Sequence, residues 1–170
     1  MITAVADTSP IRYLVRIGEI SLLPRLFQQV ILQLAVLDEL RAEDGLPIVR
    51  QWAERLPEWV QVRSPTAPLA LSIPNLHRGE MEAIALAEQL GAPLLLIDDR
   101  VGMRVALERG LTITGTLGVL VEAAQAGLVS IDQVVKNLQE TNFRASPGLY
   151  QRAFDLAHQR PPVLPRQKKD

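Results

Sequence analysis

Acidic residues stand at four telling places in this chain. Asp7 directly follows the apolar run Ile2–Ala6, Glu39 lies within the 34–43 segment, Glu80 opens the 78–90 segment, and Asp98-Asp99 directly follow Leu94–Ile97. Carboxylates that converge on one crevice repel one another and raise each other's pKa unless a cation sits between them. With no cysteine and only two histidines in the chain, an oxygen-only donor set favours Mg²⁺ or Mn²⁺ over zinc or copper. One or two such ions activate a water, bridge a phosphodiester and stabilise the leaving oxygen of an in-line displacement.

Each acid also has a purely structural reading. Asp7 can end a strand and bond the turn amides, Asp99 can cap a helix, and Glu80 sits in a first turn, where the helix dipole favours any carboxylate. Glu39, late in its helix, fits a solvated face. Asp38, Glu43, Asp44, Glu82 and Glu88 read as ordinary surface charges. Arg12 lies near the first acid, with Arg100 and Arg104 beside the last pair, so these guanidinium groups either meet phosphate oxygens or balance the carboxylates. Thr8 and Ser9 read as capping residues, and His77 and His158 as surface polar groups. Thr114-Gly115-Thr116-Leu117-Gly118 lacks both the P-loop Lys and the dinucleotide glycine spacing, and reads as a tight strand-to-helix turn.

The elements that must carry these residues alternate. Strands are expected at 2–6, 30–32, 60–62, 94–97 and 111–114, the fourth being an uninterrupted apolar run of the kind buried on both faces of a parallel sheet. Helical spacing marks 22–27, 34–43, 48–56, 78–90, 101–108, 117–126, 131–141 and 147–158, and Ser64 to Pro74 reads as a proline-bearing loop. Ser9 is placed to cap the first helix with Pro10 in its first turn, and Gly91 to end the 78–90 helix. Alternating β and α units imply an α/β fold, a mostly parallel sheet with helices on both faces. In such a sheet Asp7 and Asp98-Asp99 face one crevice if their strands are neighbours, because working groups collect beyond the carboxyl ends of the strands.

Composition agrees with one domain over residues 1–158. The chain has 170 residues, 48% hydrophobic and 4% aromatic, so the core is expected to be aliphatic. Residues 159–170, proline-bearing and basic, read as a disordered tail. Absence of cysteine excludes disulfide frameworks, thiolate zinc sites and cysteine nucleophiles. No apolar run reaches the ~18 residues that span a bilayer and no signal peptide is evident, so a cytoplasmic location is expected. The formal net charge of -1 gives no global attraction to nucleic acid, which leaves any such attraction to local patches. Ala- and Leu-rich helices such as 117–126 suggest more apolar surface than one sheet covers, hence a homodimer.

The segments VADTSPIRYLVRIG, AVLDEL, GEMEAIALAEQLGAPLLLIDDR and GTLGVLVEAAQAGLV together resemble the successive motifs of PIN domains, in the subgroup allied to VapC-like toxins of prokaryotes. The resemblance runs from Ile2 to His158. It implies a three-layer α/β/α sandwich, a divalent metal held by carboxylates, and endonucleolytic cleavage of RNA, with a protein antitoxin as partner. Carried over by position, Asp7 is the first metal ligand, Glu39 the acid of the second helix, Glu80 the third, and Asp98 or Asp99 the fourth, Asp99 ranking lower because a helix cap also explains it. The proline common before the second helix is replaced here by Gln33-Leu34. Two rival readings remain: a phosphohydrolase with Asp7 as nucleophile, weakened because Ser9 stands where its second Asp belongs, and a PIN-fold module that binds RNA or protein without cutting.

Overall fold

The computed structural model describes residues 2–67 and 73–159. Ile2–Ala6 forms β1, in which Ala4 and Ala6 join one half of the core while Val5 joins the other. A strand buried on both faces needs no polar alternation, which is why Ala4–Ala6 of β1 and Leu94–Leu96 (β4) are continuously apolar. Phe27–Leu32 (β2), Val60–Val62 (β3) and Ile113–Thr114 (β5) complete one sheet in the order β3-β2-β1-β4-β5, with every neighbouring pair parallel. The fold is thus α/β with a central parallel sheet between helical layers, as expected.

On one face, Thr8–Arg16 (α1), Leu23–Leu26 (α2), Leu34–Leu40 (α3) and Pro47–Glu54 (α4) bury Ile11, Leu14, Leu23, Val36 and Val49 in a common cluster with Ala4 and Ala6. Thr116–Gln125 (α7), Ile131–Gln139 (α8) and Pro147–His158 (α9) add Leu120, Val135 and Ala153 to it. Arg78–Leu90 (α5) and Arg100–Glu108 (α6) cover the other face through Ile84, Leu86, Val105 and Ala106. No helix among the described residues is long and apolar enough to cross a membrane.

Several boundaries differ from the sequence reading. The strand expected at 30–32 begins at Phe27, whose buried ring extends the core edge. The helix expected over 22–27 splits into a short 3₁₀ turn, Ile20–Leu22, and α2, because Pro24 in the first turn of α2 has no amide to continue the ladder. The 34–43 helix stops at Leu40, where Arg41 serves as C-cap. The apolar stretch 117–126 is not a free surface: Leu117, Val119, Leu120, Val121 and Ala123 are buried within the single chain, so that argument for a homodimer falls. Residues 68–72 of the expected loop and 160–170 of the expected tail lie outside the described residues.

Strand order decides where chemistry can occur. From β1 the chain moves outward through β2 to β3, then returns to the other side of β1 with β4 and β5. The reversal between β1 and β4 opens a crevice at their carboxyl ends, the position where open α/β sheets bind ligands.

Candidate functional site

Asp7 and Asp98 stand at that reversal. Ala6 pairs with Leu96 across β1 and β4, and the Asp7 amide donates to the Leu96 carbonyl at 2.9 Å, carrying the sheet one residue further. Asp7, not Ser9, is the N-cap residue of α1, with extended backbone and no capping bond from its side chain. Ser9 is the second helical residue, so the expected Ser9 cap is corrected: the strand ends at Ala6 as expected, but the helix begins at Thr8, directly after Asp7. Capping therefore does not explain why a carboxylate only 3% exposed occupies position 7.

Burial dominates the Asp7 electrostatics. Loss of water pushes its pKa from 3.8 to about 7; the neighbouring Thr8 amide opposes the rise, while the charges of Glu80, Glu39 and Asp98 add to it. Glu80, on the first turn of α5, is also pushed up, mainly by burial and then by Asp99 and Glu39, against the His77 amide. That amide donates to Glu80 Oε2 at 2.8 Å, so the helix-end reading of Glu80 is realised alongside its position in the crevice. Glu39 projects from α3 and accepts the Thr8 hydroxyl at 2.6 Å, which turns one edge of an otherwise exposed side chain toward Asp7. Thr8 is thus an orienting residue rather than a cap.

Asp98 follows β4 and is gripped by the start of α7. Thr116 donates its amide to Oδ1 at 2.7 Å and its hydroxyl to Oδ2 at 2.6 Å. Burial raises the Asp98 pKa, and these two bonds oppose the rise. Asp99 accepts the Gly102 amide at 2.8 Å as the N-cap of α6, so its capping role is present. Thr116, itself fully buried, was read from the sequence only as part of a tight strand-to-helix turn, with no role toward Asp98.

The sequence reading gave no site role to Gly79, and noted Gln33 only as a departure from the family's proline. Gly79 lies under the acids: a Cβ there would stand 2.7 Å from Glu39 Oε1 and 3.6 Å from Asp7 Oδ1, so a side chain at this position would displace the Glu39 carboxylate. Gln33 occupies the position beyond Leu32 that adjoins Asp7 across the β1–β2 register, fully buried, with neither atom of its amide hydrogen-bonded. A polar side chain in that state costs about 1–3 kcal/mol.

Arg12 lines a crevice of about 490 Å³ together with Asp7, Thr8, Glu39, His77 and Glu80. Arg100 is exposed beside Asp98, lining a second cavity on that side. Arg104 lines neither; it points along the exposed face of α6 to Glu108 at 3.4 Å. Glu82 and Glu88 likewise form surface pairs, with Arg78 at 2.7 Å and Arg109 at 2.6 Å.

Among the described residues no group of three or more Asp, Glu, His or Cys side chains is placed to hold a metal ion as it stands. The donor chemistry nonetheless fits a hard cation. Asp7 is a buried carboxylate with no cationic partner among the described residues, and burial, then several carboxylates, raise its pKa. Oxygen donors of this kind suit Mg²⁺ or Mn²⁺.

Residues 3–159 match a family model described as "DUF3368: PIN domain". A solved structure, a PilT N-terminus domain protein from the archaeon Sulfolobus solfataricus, aligns over 85% of this chain and all of its own at 17% identity, with a TM-score of 0.44. No curated protein matches.

Proposed function

The chain belongs to the PIN-domain family, whose members are in general metal-dependent nucleases, and from that premise we propose that it is a divalent-metal-dependent endoribonuclease. The observation that carries the reading is Asp7: a carboxylate at the strand-order reversal whose pKa is raised first by burial and then by the charges of Glu80, Glu39 and Asp98. Nothing in the packing needs that charge, whereas a bound cation does.

In this reading Asp7, Glu80 and Asp98, with Asp99 as the alternative or additional fourth acid, hold Mg²⁺ or Mn²⁺. The ion, when bound, supplies positive charge to the phosphodiester and lowers the pKa of a water. The remaining work belongs to the chain. Thr116 keeps the Asp98 carboxylate aimed, Thr8 holds Glu39 at the crevice edge to receive a proton from water, and Arg12 meets a non-bridging phosphate oxygen. Arg100 supports the strand beyond Asp98, while Arg104, engaged with Glu108, contributes at most a diffuse field.

A toxin role with a protein antitoxin, in the cytoplasm, belongs to the same proposal, and a small reading frame beside this one in the genome would support it. A homodimer is also proposed; Leu90 on α5 and Leu107 on α6, exposed on helices that pack together, support it in place of α7. The phosphohydrolase reading has no support in the site: Ser9 lies inside α1, where a second acid would be needed.

The test is cleavage of single-stranded RNA by purified protein with Mn²⁺, with Mg²⁺ and with EDTA, beside Asp7→Asn. Cleavage only with metal, lost in the variant, is expected. Undiminished cutting in EDTA would reject the reading, and binding without cutting in every buffer would favour the non-cleaving module.

A further inference from the structure

Beside Asp98 lies a cavity of about 340 Å³ between α6, the start of α7 and the connection from α8 to α9. Its walls are chiefly apolar, with Met103, Leu117, Phe143 and Leu149 facing inward, and Asp98 belongs to its lining. Arg100 and Arg144 also line it; both are exposed, and neither has an ion-pair partner among the described residues. Gly115 bears no side chain because a Cβ would meet Asp98 Oδ1 at 2.6 Å, and this keeps the passage from the slot to the acid open. The Phe143 ring is held in place by an edge-to-face contact with Tyr13, centroids 5.0 Å apart.

We propose that this slot receives one unpaired nucleobase of the RNA strand, next to the phosphate that is cut. The inference rests on the nuclease reading and deepens it by assigning a base subsite to this slot beside Asp98. An aliphatic and aromatic slot flanked by guanidinium groups that have no ion-pair partner among the described residues matches how proteins take splayed bases: the base packs on apolar and aromatic faces while arginines meet the adjoining phosphates. A paired base has no free face to insert. The slot therefore selects unpaired segments, and its position beside Asp98 sets which phosphate reaches the acids.

The experiment measures binding of a short unstructured RNA, and of the same RNA in a duplex, to metal-free native protein, Leu149→Glu and Arg144→Ala, followed by cleavage with Mn²⁺. Both residues are exposed, so native melting temperatures are expected. Each variant should bind the single strand about tenfold more weakly, the weight of one stacked base or lost cation, and Arg144→Ala should lower the salt dependence by about 0.7 in log–log slope. The native protein should prefer the single strand. Native affinity in both variants of a protein that cuts RNA, or a preference for duplex, overturns the slot and leaves the nuclease reading standing. A native protein that neither binds nor cuts RNA overturns both.

Discussion

Thr8 Oγ1 donates to Glu39 Oε2 at 2.6 Å, tying the residue after Asp7 to an acid on a different helix. The bond is made by a side chain 4% exposed, so Thr8→Val removes a hydrogen bond to a charged acceptor without creating a void. A stability loss of about 2 kcal/mol is expected. In RNA cleavage kcat should fall about tenfold with little change in KM, the split that marks a positioning role, and Thr8→Ser should restore most of it. Chemical denaturation with steady-state kinetics checks both, and a native kcat in Thr8→Val would remove Glu39 from the mechanism.

The raised Asp7 pKa makes the metal-free protein more stable in acid. The folded state holds the proton up to about pH 7, whereas the ordinary carboxylate releases it near 3.8. Between those values the folded state binds more protons, so the Asp7 contribution to stability falls as pH rises through that window and changes no further above it. Asp7→Asn should flatten this part of the pH profile and be at least as stable as the native protein at pH 7 in EDTA. Mn²⁺ should raise the native melting temperature by mass action and raise the variant's much less. Thermal melts across pH, with EDTA and with Mn²⁺, decide the matter; equal Mn²⁺ responses in the two proteins would make Asp7 structural.

Gly79→Ala separates folding from function. Alanine gains up to ~1 kcal/mol over glycine in a helix, yet its Cβ would stand 2.7 Å from Glu39 Oε1. The carboxylate is displaced while α5 itself is favoured. Stability close to native with RNA cleavage reduced roughly 100-fold is expected, the scale set by an ångström-sized misplacement of a working group. Native activity in this variant would show that Glu39 has room to move without consequence.

Much of this was legible in the residues. Apolar runs ending in acid marked β1 and β4, Gly91 marked the end of α5 with its left-handed backbone (φ 56°), and alternating periodicity marked a parallel sheet. Short-range patterns carry such information because strand alternation, helix spacing and cap residues act within a few positions of one another. Boundaries were less legible where a neighbour decided them: Phe27 lengthened β2 by joining the core, and the apolar face of α7 was covered by α8 and α9 rather than left for a partner.

The sequence by itself determined which acids stand at strand ends and that no cysteine is available as a ligand. Only the tertiary structure decided that β1 and β4 are neighbours, which sets Asp7 and Asp98 at adjacent strand ends on the linings of two separate cavities, and that Thr8, Gly79 and Thr116 contact the acids. Those three contacts join residues 18 to 72 positions apart in the chain, Thr116 to Asp98 and Gly79 to Asp7 being the extremes. No local pattern specifies a partner at that range. It is set by strand order and helix packing, where each side chain's neighbours depend on the whole core rather than on its own segment.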